Sequence, residues 1–363
     1  ALAALDAVGD EPGIQRDEAG NFQGVLTDAA NTLAFTQFWQ RFGQEVGVER
    51  AFAAAAVEAV RGGVTTVHAL DDLENVRALL AYGERLPVRV VPYAQTKDIA
   101  AVQELGLKQI GGCGQVMVDG DFGPHTAALL EPYADAPDTC GTLYYTDQEL
   151  YDYVAGAHRA GLQMGLHCLG SGAIEQLLRT YERVLAEAPR SDHRHRIEHF
   201  QLPAAGQRER ALTAGLGLAM QPSFNHFWPH DQGYPEVIGE DRARRIDPVR
   251  SVLEQGLPVA FGSDSPVTPM RPLLWMHAAV NHSNPDERID VADALPACTV
   301  AGSWLAFEEG VKGTLERGKL GDMVLLGEDP LAVPADRLEE IQLLATIVGG
   351  RIVFADASHP EVA

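Results

Sequence analysis

Two histidines and an aspartate stand out because each closes a short apolar run. His167 ends Gln163-Met164-Gly165-Leu166-His167, His199 ends Arg196-Ile197-Glu198-His199, and Asp264 follows Phe261-Gly262-Ser263. Imidazole nitrogen and carboxylate oxygen are the ligand types that a catalytic zinc takes, with one position left open for water. A single strand-end histidine is more often a satisfied core residue. Two histidines and an aspartate at one level of separate strands raise metal binding to a reading equal to core packing.

The elements that must position these groups read as alternating strands and helices. Val64–His68, Val88–Tyr93, Gln115–Asp119, Leu162–His167, Arg196–His199, Leu216–Gln221 and Pro258–Ser263 have strand composition. Amphipathic helical stretches separate them, among them Gln148–Ala160, Ile174–Ala186, Pro248–Gln255 and Leu273–His282. A helix is expected over Phe35–Val60, stopped by Gly62-Gly63. Alternation of this kind predicts a parallel sheet with helices packed on it. A closed (β/α)8 barrel has eight strands over ~250 residues; one strand is unaccounted for, with no candidate before Phe35. After a helix over Val291–Phe307, Gly313–Leu326 and Ala345–Phe354 read as short strands with glycine turns. The expected organisation is α/β: a TIM-like barrel over 1–308, its first strand apparently missing, and a small β-sandwich portion over 309–363.

Composition narrows the function class. The chain has 363 residues, 46% hydrophobic, with Lys+Arg 28 against Asp+Glu 51 and a net charge of −23. So acidic a chain argues against nucleic acid and anionic membranes as partners, and no apolar run approaches the ~18 residues of a membrane span. Cys113, Cys140, Cys168 and Cys298 are scattered without a CxxC pair, so reduced thiols in a cytoplasmic protein are expected. The first residues, Ala1 to Asp6, have no basic and long apolar stretch of a signal peptide. A small-molecule substrate is the expected partner, with a homodimer as the default assembly.

The words around the strand ends resemble one family. Leu166-His167-Cys168-Leu169-Gly170-Ser171-Gly172-Ala173-Ile174 is similar to the "HAIGDRAI" stretch of the amidohydrolase superfamily, in the family 3 branch related to N-substituted formamide deformylases. Arg194-His195-Arg196-Ile197-Glu198-His199 matches its "RHRIEH", Gly262-Ser263-Asp264-Ser265-Pro266-Val267 its "GSDAPV", and Lys312 to Asp322 its "KGSIEPGKLAD". The resemblance implies metal-dependent hydrolysis of an amide or related C–N bond. It implies His167 and His199 as ligands of a divalent metal, zinc first, and Asp264 as both ligand and proton shuttle.

Two departures from the family pattern bear on mechanism. The His-x-His pair of the family's first strand occurs nowhere in the chain. Gln115, in Gly114-Gln115-Val116-Met117-Val118-Asp119-Gly120, stands where binuclear members carry a carboxylated lysine, which favours one ion over two. A catalytically impaired homologue with a binding or regulatory role, or a same-fold isomerase or decarboxylase, is the alternative.

Further candidates come from the loops. His68, at the end of its strand, could contact substrate or fill the barrel. Asp119 and His125 lie on the glycine-rich loop after the fourth strand, where barrels carry function. Asn225, His226 and Trp228 lie on an aromatic loop after the seventh strand and could line a substrate pocket or pack as a lid. Glu198 alternates away from His199, so an ion pair with Arg196 or a contact with a helix is expected rather than catalysis. His193 and His195 are expected on the solvent side.

Overall fold

The computed structural model describes residues 13–359, apart from residues 18, 27–29, 32, 35, 39–40 and 42–45. The chain divides into two units, residues 1–55 and 56–363. In the first, β1 (Ile14–Arg16) and β2 (Phe22–Leu26) pair antiparallel. A helix, Val48–Arg61, spans the division; the expected start at Phe35 lies outside the described residues.

The second unit is built on seven parallel strands in the order of the sequence. They are β3 (Thr66–Asp71), β4 (Arg89–Ala94), β5 (Gln109–Gly112), β6 (Gln163–Cys168), β7 (Arg196–His199), β8 (Gly217–Met220) and β9 (Val259–Phe261). Helices follow most of them. Asp147–Arg159 starts with a capping box between Thr146 and Glu149, and Ser171–Glu187 turns Ile174, Leu177, Leu178 and Tyr181 into the core. The sheet is curled into a half-barrel. Arg196 of β7 touches His68 of β3 at 2.9 Å, although in a flat sheet four strand spacings would hold these strands ~19 Å apart.

Six of the seven strands fall where the sequence puts them, within a few residues. The exception is β5, expected at Gln115–Asp119 and found at Gln109–Gly112, with Gln115 in a 3-10 turn, Gly114–Val116. Its Gly-Gly reads as a turn signal, yet Gly111 pairs with Gly165 of β6 at a contact that leaves no room for a side chain. A Cβ on Gly111 would meet the Gly165 carbonyl oxygen at 2.1 Å. The helix expected over Val291–Phe307 is two, Val291–Cys298 and Val300–Leu305. Pro296 withholds an amide donor and Thr299 leaves helical geometry.

At the C-terminal side, β10 (Met323–Leu326), β11 (Leu343–Val348) and β12 (Arg351–Ala355) form a small antiparallel sheet. Arg89 of β4 holds Asp322 just before it through two hydrogen bonds, at 2.7 and 3.0 Å. No helix among the described residues is long and apolar enough to cross a membrane.

Candidate active site

His167 and His199 sit on neighbouring strands, where parallel pairing sets His167 opposite Glu198 and Cys168 opposite His199. The chain turns sharply at the end of β7: His199 and Phe200 have φ of 70° and 51°, a left-handed conformation that a bulky residue adopts only under constraint. The turn brings the two imidazoles edge to face, with ring centroids 4.5 Å apart. Burial, the neighbouring His199 and, in opposition, the Gly120 carbonyl set the His167 pKa well below its ordinary value. Burial likewise lowers that of His199 to about 4. Both rings are therefore neutral at pH 7, the form that ligates metal. The Nδ1 of His199 is buried with no hydrogen-bond partner, a costly state unless something outside the protein chain takes it up.

Asp264 follows β9 with φ 53°, again left-handed. Burial, then the charge of Asp121, raises its pKa to about 6. It stands outside the tight group of donor atoms around the two histidines, whose third member is Cys113. Its charge is nevertheless felt there. The Cys113 thiol is pushed up by burial, then by Asp264 and by Glu198. A bound cation would reverse that trend locally. The donor chemistry, two neutral imidazoles and a thiol, fits a divalent metal.

The other predicted residues are distributed differently. Asp119 is a correction: it is fully buried and its carboxylate accepts the backbone N–H groups of Ala128, Leu169 and Gly170 at 2.8–2.9 Å. No face of it is left for a substrate. It ties together the loops after β5 and β6, and Val118 beside it donates to the His167 carbonyl. His68 accepts from Arg196 at Nδ1, so its proton resides on Nε2. His125 turns to Asp135 at 2.9 Å and lies edge-on to Tyr133.

In the aromatic loop, Asn225 is buried, with Oδ1 accepting from the Ser283 N–H and Nδ2 unpaired. His226 is exposed and edge-on to His277. Trp228 is half-exposed and packs edge-on against Phe224, which stacks on His199. The structure thus joins Trp228 to a predicted ligand through Phe224.

Glu198 does pair with Arg196, as expected. His193 and His195 are a second correction: both are buried, His195 completely. The peptide N–H of His195 reaches back to Nδ1 of His193, and the His193 ring in turn donates to Ala214. Such local satisfaction of polar atoms is invisible to side-chain alternation. Cys113 is the neighbour of the two histidines that its scatter among the thiols concealed. The signal was its setting, a cysteine flanked by Gly111, Gly112 and Gly114.

Comparison with known proteins is decisive for the family. The amidohydrolase family model matches residues 2–354. The chain belongs to the amidohydrolase family. It is 29% identical to the putative amidohydrolase YtcJ of Bacillus subtilis over 67% of the chain and 47% of that protein. Identity to the N-substituted formamide deformylase of Arthrobacter pascens is 25%, over 96% of the chain and 70% of that protein. The protein LONG AFTER FAR-RED 3 of Arabidopsis thaliana is 27% identical over 94% of the chain and 63% of its own length. The chain thus spans about half the length of YtcJ and less than two thirds of LONG AFTER FAR-RED 3. Among solved structures, an uncharacterized metal-dependent hydrolase from Pyrococcus furiosus superimposes with a TM-score of 0.72 at 26% identity, covering 91% of the chain and 69% of that protein.

Proposed function

We propose that this amidohydrolase-family chain carries the site of a metal-dependent hydrolase acting on an amide or related C–N bond of a small molecule. The observation that carries the reading is the buried, neutral His167–His199 pair at the ends of adjacent parallel strands, with the Cys113 sulfur beside it. The relative named N-substituted formamide deformylase supports an amide as the bond cleaved. On this reading the half-barrel is the greater part of a (β/α)8 hydrolase barrel extending to residue 308. The small sheet beyond it is part of a β-sandwich.

His167 and His199 would hold one divalent ion, zinc first. When bound, such an ion polarises the carbonyl and makes water acidic enough to attack at neutral pH. Asp264 takes the proton of the attacking water and returns it to the leaving nitrogen, so that the amine departs uncharged. Phe224 backs the His199 ring and packs edge-on against Trp228, which fixes that ring's orientation. Glu198 is paired with Arg196 and thereby fixes that arginine in the sheet.

Elemental analysis of the purified protein together with turnover of N-formyl and N-acyl amines tests this. One zinc per chain and hydrolysis that Asp264→Asn reduces ~10²–10⁴-fold are expected. Full activity in Asp264→Asn, with metal retained, overturns the mechanism.

A further inference from the structure

We propose that Cys113 is a third protein ligand of the metal, giving a single Cys-His-His site whose sulfur selects a soft ion such as zinc over magnesium or manganese. This rests on the metal-dependent reading above and assigns a residue that the family resemblance does not supply.

The geometry is close to what a bound ion requires. Sγ of Cys113 lies 4.0 Å from Nε2 of His199, and one donor atom from each of Cys113, His167 and His199 falls within 4.8 Å of the others. A tetrahedral zinc with sulfur at ~2.3 Å and nitrogen at ~2.0 Å holds those two atoms ~3.5 Å apart. Contraction of about half an ångström brings this pair to ligating separation, and the widest pair of the three closes by at most ~1.5 Å, within the reach of side-chain torsions.

The backbone is shaped to present this cysteine. Gly111, Gly112 and Gly114 have φ of 108°, 130° and 61°, conformations that L side chains rarely adopt. Added Cβ atoms would meet the Gly165 carbonyl at 2.1 Å, the Gln95 Cγ at 2.9 Å and the Gln95 Oε1 at 2.5 Å respectively. Three glycines thus bend the end of β5 inward and leave Cys113 as the one side chain of the bend. Gln115, on the turn just beyond, has no anionic donor to offer. Cys168, though next to His167, is buried in the apolar core and takes no part in the donor group.

Thiolates and imidazoles together favour zinc, copper(I) and cobalt(II), whereas magnesium and manganese prefer oxygen. As the metal–sulfur bond forms, the thiol proton leaves to solvent, so loading the site with a divalent ion releases a proton.

Absorption spectroscopy of the intact protein loaded with cobalt(II) decides the matter without an activity assay. The expected spectrum contains a near-ultraviolet sulfur-to-cobalt charge-transfer band that Cys113→Ser abolishes and Cys140→Ser, at an exposed thiol, leaves in place. Cobalt bound with ligand-field bands but no charge-transfer band overturns the thiolate ligand and leaves the metal reading standing. Failure to bind cobalt or zinc at all overturns both. Should Cys113→Ser not fold, alkylation of the wild-type protein by iodoacetamide, read by mass spectrometry, serves instead. Zinc is expected to protect Cys113 and leave Cys140 reactive. Equal modification of Cys113 with and without zinc overturns the proposal.

Discussion

The carboxylate of Glu198 and the guanidinium of Arg196 form an ion pair with side chains only 5% and 2% exposed. Arg196 also lies over the Tyr93 ring, 4.0 Å from its centroid, and donates to His68. One arginine therefore fastens β3, β4 and β7 to one another on the concave side of the sheet. Gly165 opposite leaves the space: a Cβ there would sit 2.5 Å from a Glu198 oxygen.

Removing one member of a buried pair leaves the other charge without a partner, at a cost of ~3–5 kcal/mol. Arg196→Met is expected to lose stability on that scale in urea denaturation. The double variant Arg196→Met/Glu198→Gln should recover part of the loss, because no charge is then stranded. A single variant less than ~1 kcal/mol below the wild type would mean that the pair is solvated after all.

Asp119 offers a second stability test that also reaches the site. Its carboxylate accepts three backbone N–H groups, two of them from Leu169 and Gly170 just beyond His167. Asn at this position presents one oxygen and turns an N–H toward amide donors. We expect Asp119→Asn to cost ~1.5–3 kcal/mol, the worth of a hydrogen bond to a charged group. Zinc affinity, measured by competition with a chelator, should fall with it because the loop that seats His167 loosens. Unchanged stability would show that water replaces the carboxylate.

The parallel sheet and six of its seven strands were legible in the sequence because hydrophobic runs of strand length end on polar groups, as at His167 and His199. What alternation could not show is the effect of curl. Rolling the sheet brings His68 onto Arg196, residues 128 apart in the chain, and no local pattern carries that contact. Burial of His195 was hidden for a related reason: its ring is satisfied by His158 and by the Met164 N–H, partners from other elements. Cys113 was obscured by glycines that read as a turn and in fact form the end of a strand.

Trp228 tests the mouth of the site. Its ring is 45% exposed and meets Phe224 edge-on at 5.7 Å, and Phe224 stacks on His199. An aromatic contact of this kind is worth ~0.5–1.5 kcal/mol, equivalent to ~3–10-fold in an equilibrium constant. Trp228→Ala should raise KM for substrates with an aromatic or bulky N-substituent by about that factor, with kcat changed little. Equal KM values across small and bulky substrates in wild type and variant would place the tryptophan outside the pocket.

The histidine chain at the opposite end of the strands contributes to the pH dependence of stability. The Met164 N–H donates to Nδ1 of His195 at 3.0 Å, so the proton of that ring is on Nε2 and points to Nδ1 of His158 at 2.8 Å. His158 in turn donates from Nε2 to the Ala188 carbonyl at 2.7 Å. A further proton on either ring would face an N–H, and burial holds both pKa values below 6.5, well below in His195. The neighbouring Arg190 acts in the same direction on both rings. Above pH 6.5 folded and unfolded chains carry the same protons at these positions, and stability does not depend on them. Below it the unfolded chain takes up protons that the folded one refuses, so stability falls as pH falls, by up to ~1.4 kcal/mol per pH unit for each group. Urea midpoints between pH 7.5 and 5 should therefore drop less steeply in His158→Gln, whose amide can accept from His195 and never ionises. Parallel slopes in the two proteins would show that His158 is protonated equally in the folded and unfolded chains.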